Sequence, residues 1–507
     1  MFASVRWRRI RLVRRVTERT SNSVVDESDA RTAQPYQVGS SIAHTIRGFG
    51  VLALASVFGQ LLGFVALAIV TRRIGPAAVG EYAFAFTYIG YFGLLPNGGV
   101  QYVGLRDASA APDAMSSAVS ETVVLQIALL LVADAAAVLL SHVLAPNERT
   151  AALIPILGVT MAMTTCTLDW VLLVRRRRGI VAAARLGGQV AYAALVPVFV
   201  TAGGGAAPYA WLNALGLAVT ALLIAVPVAR LGLAVAVPTW RSLWLRLRDS
   251  IGLIYSLAMM QIYIAASVIL LGYFKNARQV GIYAVAYRLP STVMVIANMW
   301  IQAFFPDAVT RLAAGRDAFR NDLSRVLSAS IILAFAIVGG AAAFATRLMP
   351  AMFGDSFRAS ASPFTILAGA MALVLLEAVL ANVLIASSRD RLYAAVVTTA
   401  ALSNVVAGVL LIPSLSADGA ALATFTGEAS LVILTLVFAS REIGFPTFQW
   451  ARIVRGGGAV GLMCLVAVAT RHVPLAASLI AGIATLAISV LVVRPFDPAL
   501  WRRGSAE

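Results

Sequence analysis

Fourteen apolar runs follow one another along the chain, at roughly 48–70, 82–104, 121–140, 151–174, 180–200, 208–229, 251–273, 281–304, 326–345, 363–386, 391–412, 419–440, 455–470 and 474–493. Most are about 20 residues long, enough to cross the hydrocarbon core of a bilayer as a helix. Peptide groups in lipid must be satisfied within the segment, so the helix is the form such a run takes. Composition agrees: 60% of residues are hydrophobic and 12% charged, where soluble domains carry about 25% charged residues. The expected fold class is an all-α integral membrane protein of about 14 transmembrane helices.

Formal net charge is +17, from 40 Lys and Arg against 23 Asp and Glu. In a soluble chain that excess would suggest nucleic acid. Here it marks the cytoplasmic side, and no nucleic-acid partner is expected. With the N-terminus inside, 31 of the 40 cations fall in inside segments. Eight fall outside: Arg72, Arg73, Arg149, Lys275, Arg278, Arg347, Arg358 and Arg471. Arg288 is left within a helix. Both termini are therefore expected in the cytoplasm. Residues 1–45 interleave arginines with Val5, Ile10, Leu12, Val13 and Val16, which suits equally a basic helix on an anionic leaflet and a free cytoplasmic tail. No signal-peptide pattern follows them. Cys166 and Cys464 lie in apolar runs, and the three histidines are isolated. No disulfide framework, metal site or cofactor is expected from them.

The chain matches itself. At a shift of 201, "VGEYAFA" (79–85) falls on "VGIYAVA" (280–286), Arg47 on Arg248, Gln60 on Gln261, Asn97 on Asn298 and Gln101 on Gln302. At a shift of 210, "ILGVTMA" (156–162) falls on "ILAGAMA" (366–372). Amides and arginines are scarce in membrane helices, so these matches weigh more than paired alanines. The reading is two six-helix lobes, residues 46–230 and 231–441, followed by helices 13 and 14 with the C-terminal tail (442–507). An even number of helices per half makes both halves enter from the same side. They should be related by an axis along the membrane normal, as in transporters that bind cargo between the halves. Gly75 and Pro76 mark the turn after the first helix. Gly80 and Gly281 stand where the second helix of each half starts or packs closely, and Tyr82 is expected at the outer interface.

The stretch "RRIGPAAVGEYAFAFTYIGYFGLLPNGGV", followed by "LRD", resembles the N-terminal signature of Wzx-type polysaccharide flippases in the MATE-like, oligosaccharidyl-lipid flippase superfamily. The resemblance implies a V-shaped pair of lobes around a cationic cavity in a bacterial inner membrane. It implies movement of an undecaprenyl-pyrophosphate-linked oligosaccharide from the inner to the outer leaflet, for exopolysaccharide, O-antigen or capsule assembly. Implied partners are that glycan, membrane lipids and polymerase or export machinery.

A pyrophosphate needs cations, for which the planar arginine fork is suited. Sugar hydroxyls suit amides, which both donate and accept. Arg288, Ser291, Asn298 and Gln302 are spaced to share one helical face, matched by Thr87, Gly90, Asn97 and Gln101 in the first half. Arg288, Asn97, Asn298, Gln101, Gln302, Gln60 and Gln261 are the cavity candidates, with helix–helix packing the plain alternative for the amides. Arg47 and Arg248 are candidates for the headgroup entrance, with ordinary positive-inside anchoring equally open. Glu377 and Glu428 lie nearest mid-membrane, to take a proton or Na⁺ in coupling or to neutralise Arg288. Asp169 stands near the Arg175–Arg178 run. No catalytic residue is assigned. The rival readings are a MATE-like drug or cation exporter, a peptidoglycan-precursor flippase and, in a different class, a membrane polysaccharide polymerase or glycosyltransferase.

Overall fold

The first helix does not stop where the sequence turns; it bends. α1 runs Val38–Asn97 through Gly75, whose backbone (φ 76°, ψ 175°) leaves the helical region. A residue without a Cβ takes that conformation freely, and Pro76 suits the first turn of the arm that follows. In the second half the corresponding bend is a full break. α8 (Trp240–Phe274) ends at Lys275, and Asn276 caps α9 (Ala277–Arg288) by accepting from the Gln279 amide.

The computed structural model describes residues 38–110, 115–234, 236–294, 316–387 and 389–493. From Val51 onward they belong to one unit of contacts. The remaining helices are α2 (Val100–Ala110), α3 (Met115–Leu144), α4 (Glu148–Cys166), the short α5 (Asp169–Val174), α6 (Arg178–Phe199), α7 (Ala207–Ala229), α10 (Arg316–Phe353), α11 (Ala361–Ala386), α12 (Asp390–Ile443), α13 (Trp450–Ala469) and α14 (Leu475–Val493). Among the described residues, 11 helical stretches are long and apolar enough to span a membrane. Two of these, of 54 and 53 residues, would each be about 80 Å long if straight, against a core of about 30 Å. They bend at Gly75 and Ser416. The helix expected at 281–304 is described only as far as Met294. The chain is thus an all-α, multi-pass membrane protein.

In the first half α6 packs on α7 and α4 on α7; in the second, α10 on α11 and α11 on α12. The hairpin of α13 and α14 packs on α10. The largest apolar cluster joins the halves at the end where α1 bends. There Phe84 and Tyr88 of α1, Tyr283 and Val285 of α9, Met349 and Phe353 of α10 and Leu367 of α11 are all buried. Gly80 and Gly281 lie in this contact. A Cβ on Gly80 would fall 1.7 Å from the Ala277 carbonyl oxygen, and one on Gly281 would fall 1.9 Å from that of Pro76. Residues 76 and 277 are themselves related by the shift of 201. Two helices cross there with backbone against backbone.

Tyr82 differs from its expected place. It packs inward on Tyr209 of α7, ring centroids 4.3 Å apart, because two residues of helix turn it about 200° from the Gly80 crossing, toward the helices of its own half. Its repeat mate Tyr283 is fully buried, with its hydroxyl 3.0 Å from that of Thr424.

Candidate functional site

A cavity of about 470 Å³ lies between the halves. α1 contributes Gly63, Tyr82, Phe86, Thr87 and Gly90; α8 contributes Gln261; α9 and the turn after it contribute Tyr287, Arg288 and Ser291. α6 and α7 close one side with Gln189, Tyr192, Tyr209 and Asn213. Arg288 is the cation of this lining, and no Asp or Glu appears among its described residues. The Arg288 side chain is solvent-exposed, with its guanidinium carbon 5.5 Å from the centre of the Phe64 ring. That is cation–π distance. A methyl on Gly63 would lie 3.8 Å from Arg288 Nη2 and 3.2 Å from Gln189 Nε2, so both side chains flank the same bare stretch of α1. Among the described residues Arg288 has no carboxylate partner within salt-bridge distance.

Arg288 holds its place differently from what residue spacing suggests. α9 ends at Arg288, and a 3₁₀ turn (Pro290–Thr292) follows. Pro290 has no amide hydrogen to continue the ladder. The straight face drawn through Arg288, Ser291, Asn298 and Gln302 is therefore interrupted, although Ser291 still lines the cavity and donates to the Arg288 carbonyl at 2.7 Å. Asn298 and Gln302 lie outside the described residues, as does the side chain of Arg47.

The other candidates separate. Gln261 lies in the cavity, where a methyl on Gly90 would come 3.4 Å from its Nε2. Gln101 lines a second cleft, of about 570 Å³, built within the first half from α1, α2 and α4–α7. Asn97 donates to Thr165 Oγ1 at 3.0 Å, a local bond between α1 and α4. Gln60 is half-buried and in the lining of neither space. Arg248 is exposed on α8. The cation that joins the halves there is Arg246, whose side chain is 7% exposed and meets Glu121 at 2.7 Å and Asp107 at 3.4 Å. Two residues of helix turn a side chain about 200°, so Arg246 faces the first half while Arg248 faces away.

Glu377 and Glu428 are both buried in the second half. Neither pairs with Arg288. Glu377 accepts from the Tyr393 hydroxyl at 2.7 Å, and Glu428 lies beside Tyr263. Asp169 pairs with Arg185 of α6 and not with the 175–178 run. Residue types alone did not single out Gln189, Asn213 or Arg185. The signal for them is two amides and a cation inside apolar runs.

The family profile described as "Polysaccharide biosynthesis protein" matches residues 45–309. The chain belongs to this family. The matched region runs from the first arm of α1 past Arg288, and so holds both spaces. The chain is also similar to the "Probable low-salt glycan biosynthesis flippase Agl15" of Haloferax volcanii, 24% identical over 188 residues. That match spans 37% of this chain and 39% of the relative's length. Two solved structures share the fold. One is described as "Lipid II flippase MurJ, inward closed conformation", with TM-score 0.71 and 10% identity over 87% of this chain and 98% of that one. The other is an inward-facing multidrug resistance MATE family transporter of the MOP superfamily, with TM-score 0.61 and 14% identity over 76% and 94%. This chain has the fold of these two structures.

Proposed function

We propose that this family member is a flippase, moving an undecaprenyl-pyrophosphate-linked oligosaccharide from the inner to the outer leaflet of a bacterial inner membrane. Both termini lie in the cytoplasm in this reading, and the end that holds Gly80 and Gly281 faces outward. One observation carries it: an exposed arginine, without a carboxylate partner among the described residues, stands in a cavity between the halves, among amides and tyrosines. Such a lining attracts an anion and offers hydrogen bonds to sugars, while the polyprenyl chain stays in lipid. A drug or cation exporter needs the opposite sign. A polymerase or glycosyltransferase needs catalytic groups, and the described lining of this cavity offers no carboxylate to act as acid or base.

A peptidoglycan precursor carries the same pyrophosphate and is the nearest rival cargo. The test reconstitutes the full chain in liposomes with a fluorescent polyprenyl-pyrophosphate oligosaccharide and, separately, with the peptidoglycan precursor. Protection of the headgroup from external enzymes is followed with time. Translocation of the oligosaccharide lipid, lost in Arg288→Ala, is expected; transport of a cationic drug alone would defeat the reading. The product would pass to polymerase and export machinery on the outer face.

A further inference from the structure

We propose that the cleft within the first half is a subsite for uncharged, hydroxyl-rich sugar, separate from the anion position at Arg288. This rests on the flippase reading. The two spaces share Phe86, Gln189, Tyr192 and Asn213, so a headgroup held at Arg288 continues directly into the cleft.

The chemistry of the lining selects the occupant. Thr160 and Thr164 stand one turn apart on α4, and Thr167, the residue that ends the helix, lines the cleft beside them with Thr220 of α7. Thr164, Thr167 and Thr220 each donate their hydroxyl proton to the carbonyl four residues back, at 2.9, 2.8 and 3.0 Å. What they turn outward is acceptor lone pairs. Acceptors welcome the O–H groups of a sugar and repel phosphate or carboxylate oxygens. Gln189 and Asn213 supply both donors and acceptors. Among the described lining residues the one cation, Arg185, is neutralised by Asp169, so they offer no net charge to an acidic sugar.

The matching positions of the second half do not repeat this lining. At the shift of 210, Thr160, Thr164 and Thr167 fall on Ala370, Val374 and Glu377. Ala370 is fully buried, Val374 packs in an apolar cluster, and Glu377 is engaged by Tyr393. The threonine ladder belongs to the first half alone.

The experiment compares binding of citronellyl pyrophosphate with that of citronellyl pyrophosphate bearing a neutral disaccharide, using the purified full chain and native mass spectrometry. The disaccharide should tighten binding of the wild type by about tenfold, as one or two well-placed hydrogen bonds would. The near-isosteric double variant Thr164→Val/Thr167→Val should abolish that increment and leave bare citronellyl pyrophosphate bound as before. An increment that is absent in the wild type, or that survives in the double variant, overturns the proposal. So does a larger increment for a disaccharide containing a uronic acid. Loss of bare citronellyl pyrophosphate in Arg288→Ala checks the underlying flippase reading separately, because that comparison contains no sugar.

Discussion

Gly80 and Gly281, 201 residues apart, meet at the crossing of the two halves, where neither has room for a side chain. The Cβ that Gly80 lacks would strike Ala277, and the one that Gly281 lacks would strike Pro76. The same exchange recurs nearby. Arg72 donates to the carbonyl of Ala351 near the end of α10, while Tyr273, its mate at the same shift, donates to the carbonyl of Leu144 at the end of α3, at 2.8 Å. A pseudo-two-fold relation therefore closes this end of the bundle. The opposite end is held by the Arg246 ion pairs.

Filling the glycine crossing should hold that end open. Gly80→Val adds atoms where backbone already touches backbone, an overpacking that costs about 1–3 kcal/mol. A cysteine introduced at Ser291, in a background with Cys166 and Cys464 replaced by serine, should label faster with an impermeant thiol reagent applied from outside. Unchanged labelling in a well-expressed Gly80→Val protein would show that the crossing does not seal the cavity.

Arg288 should be needed for transport but not for folding. Arg288→Ala is expected to lower the initial rate of headgroup translocation at least tenfold while keeping the wild-type melting temperature in detergent. Arg288→Lys should recover part of the rate, since it keeps the charge but loses the planar fork. Full transport by Arg288→Ala would move the anion site elsewhere.

Breaking the Arg246 pairs should loosen the end away from the glycine crossing. Arg246→Ala leaves Glu121 and Asp107 without their cation. The cost should fall below the 3–5 kcal/mol typical of fully buried pairs, because Asp107 is 37% exposed. Thermal unfolding in detergent should show a lowered midpoint, and Arg246→Lys should restore most of it. An equal loss in the lysine variant would mean that packing of the guanidinium, not its charge, holds the contact.

Coupling is expected to run through the buried acids of the second half. Glu428→Gln keeps the shape and removes the titration, so transport in liposomes should lose its response to an imposed proton or sodium gradient. Binding of bare citronellyl pyrophosphate should be unchanged, because Glu428 is not in the lining of the cavity that holds Arg288. A variant that still follows the gradient would exclude Glu428 as the coupling group, and Glu377 would be tested next.

The amino-acid sequence by itself determined that this chain is helical and lies in a membrane, because an apolar run has only local ways to satisfy its peptide groups in lipid. It also pointed to a duplication in which Gly80 and Gly281 are repeat mates; that the two glycines meet at one crossing was decided by the packing. Arg288 stood out as a cation within an apolar run at a place where the repeat has Thr87. Only the tertiary structure decided which other polar side chains meet. Arg246 and Arg248 are indistinguishable as loop cations until α8 turns one toward Glu121. Asp169 has four arginines closer in sequence than Arg185, yet the packing of α5 beside α6 brings Arg185 to it. Asn97 resembled a cavity amide and bonds to Thr165, because a helix crossing selects which face of each helix is neighbour and which is void. That selection depends on contacts across tens to hundreds of residues, for which no local pattern carries a signal.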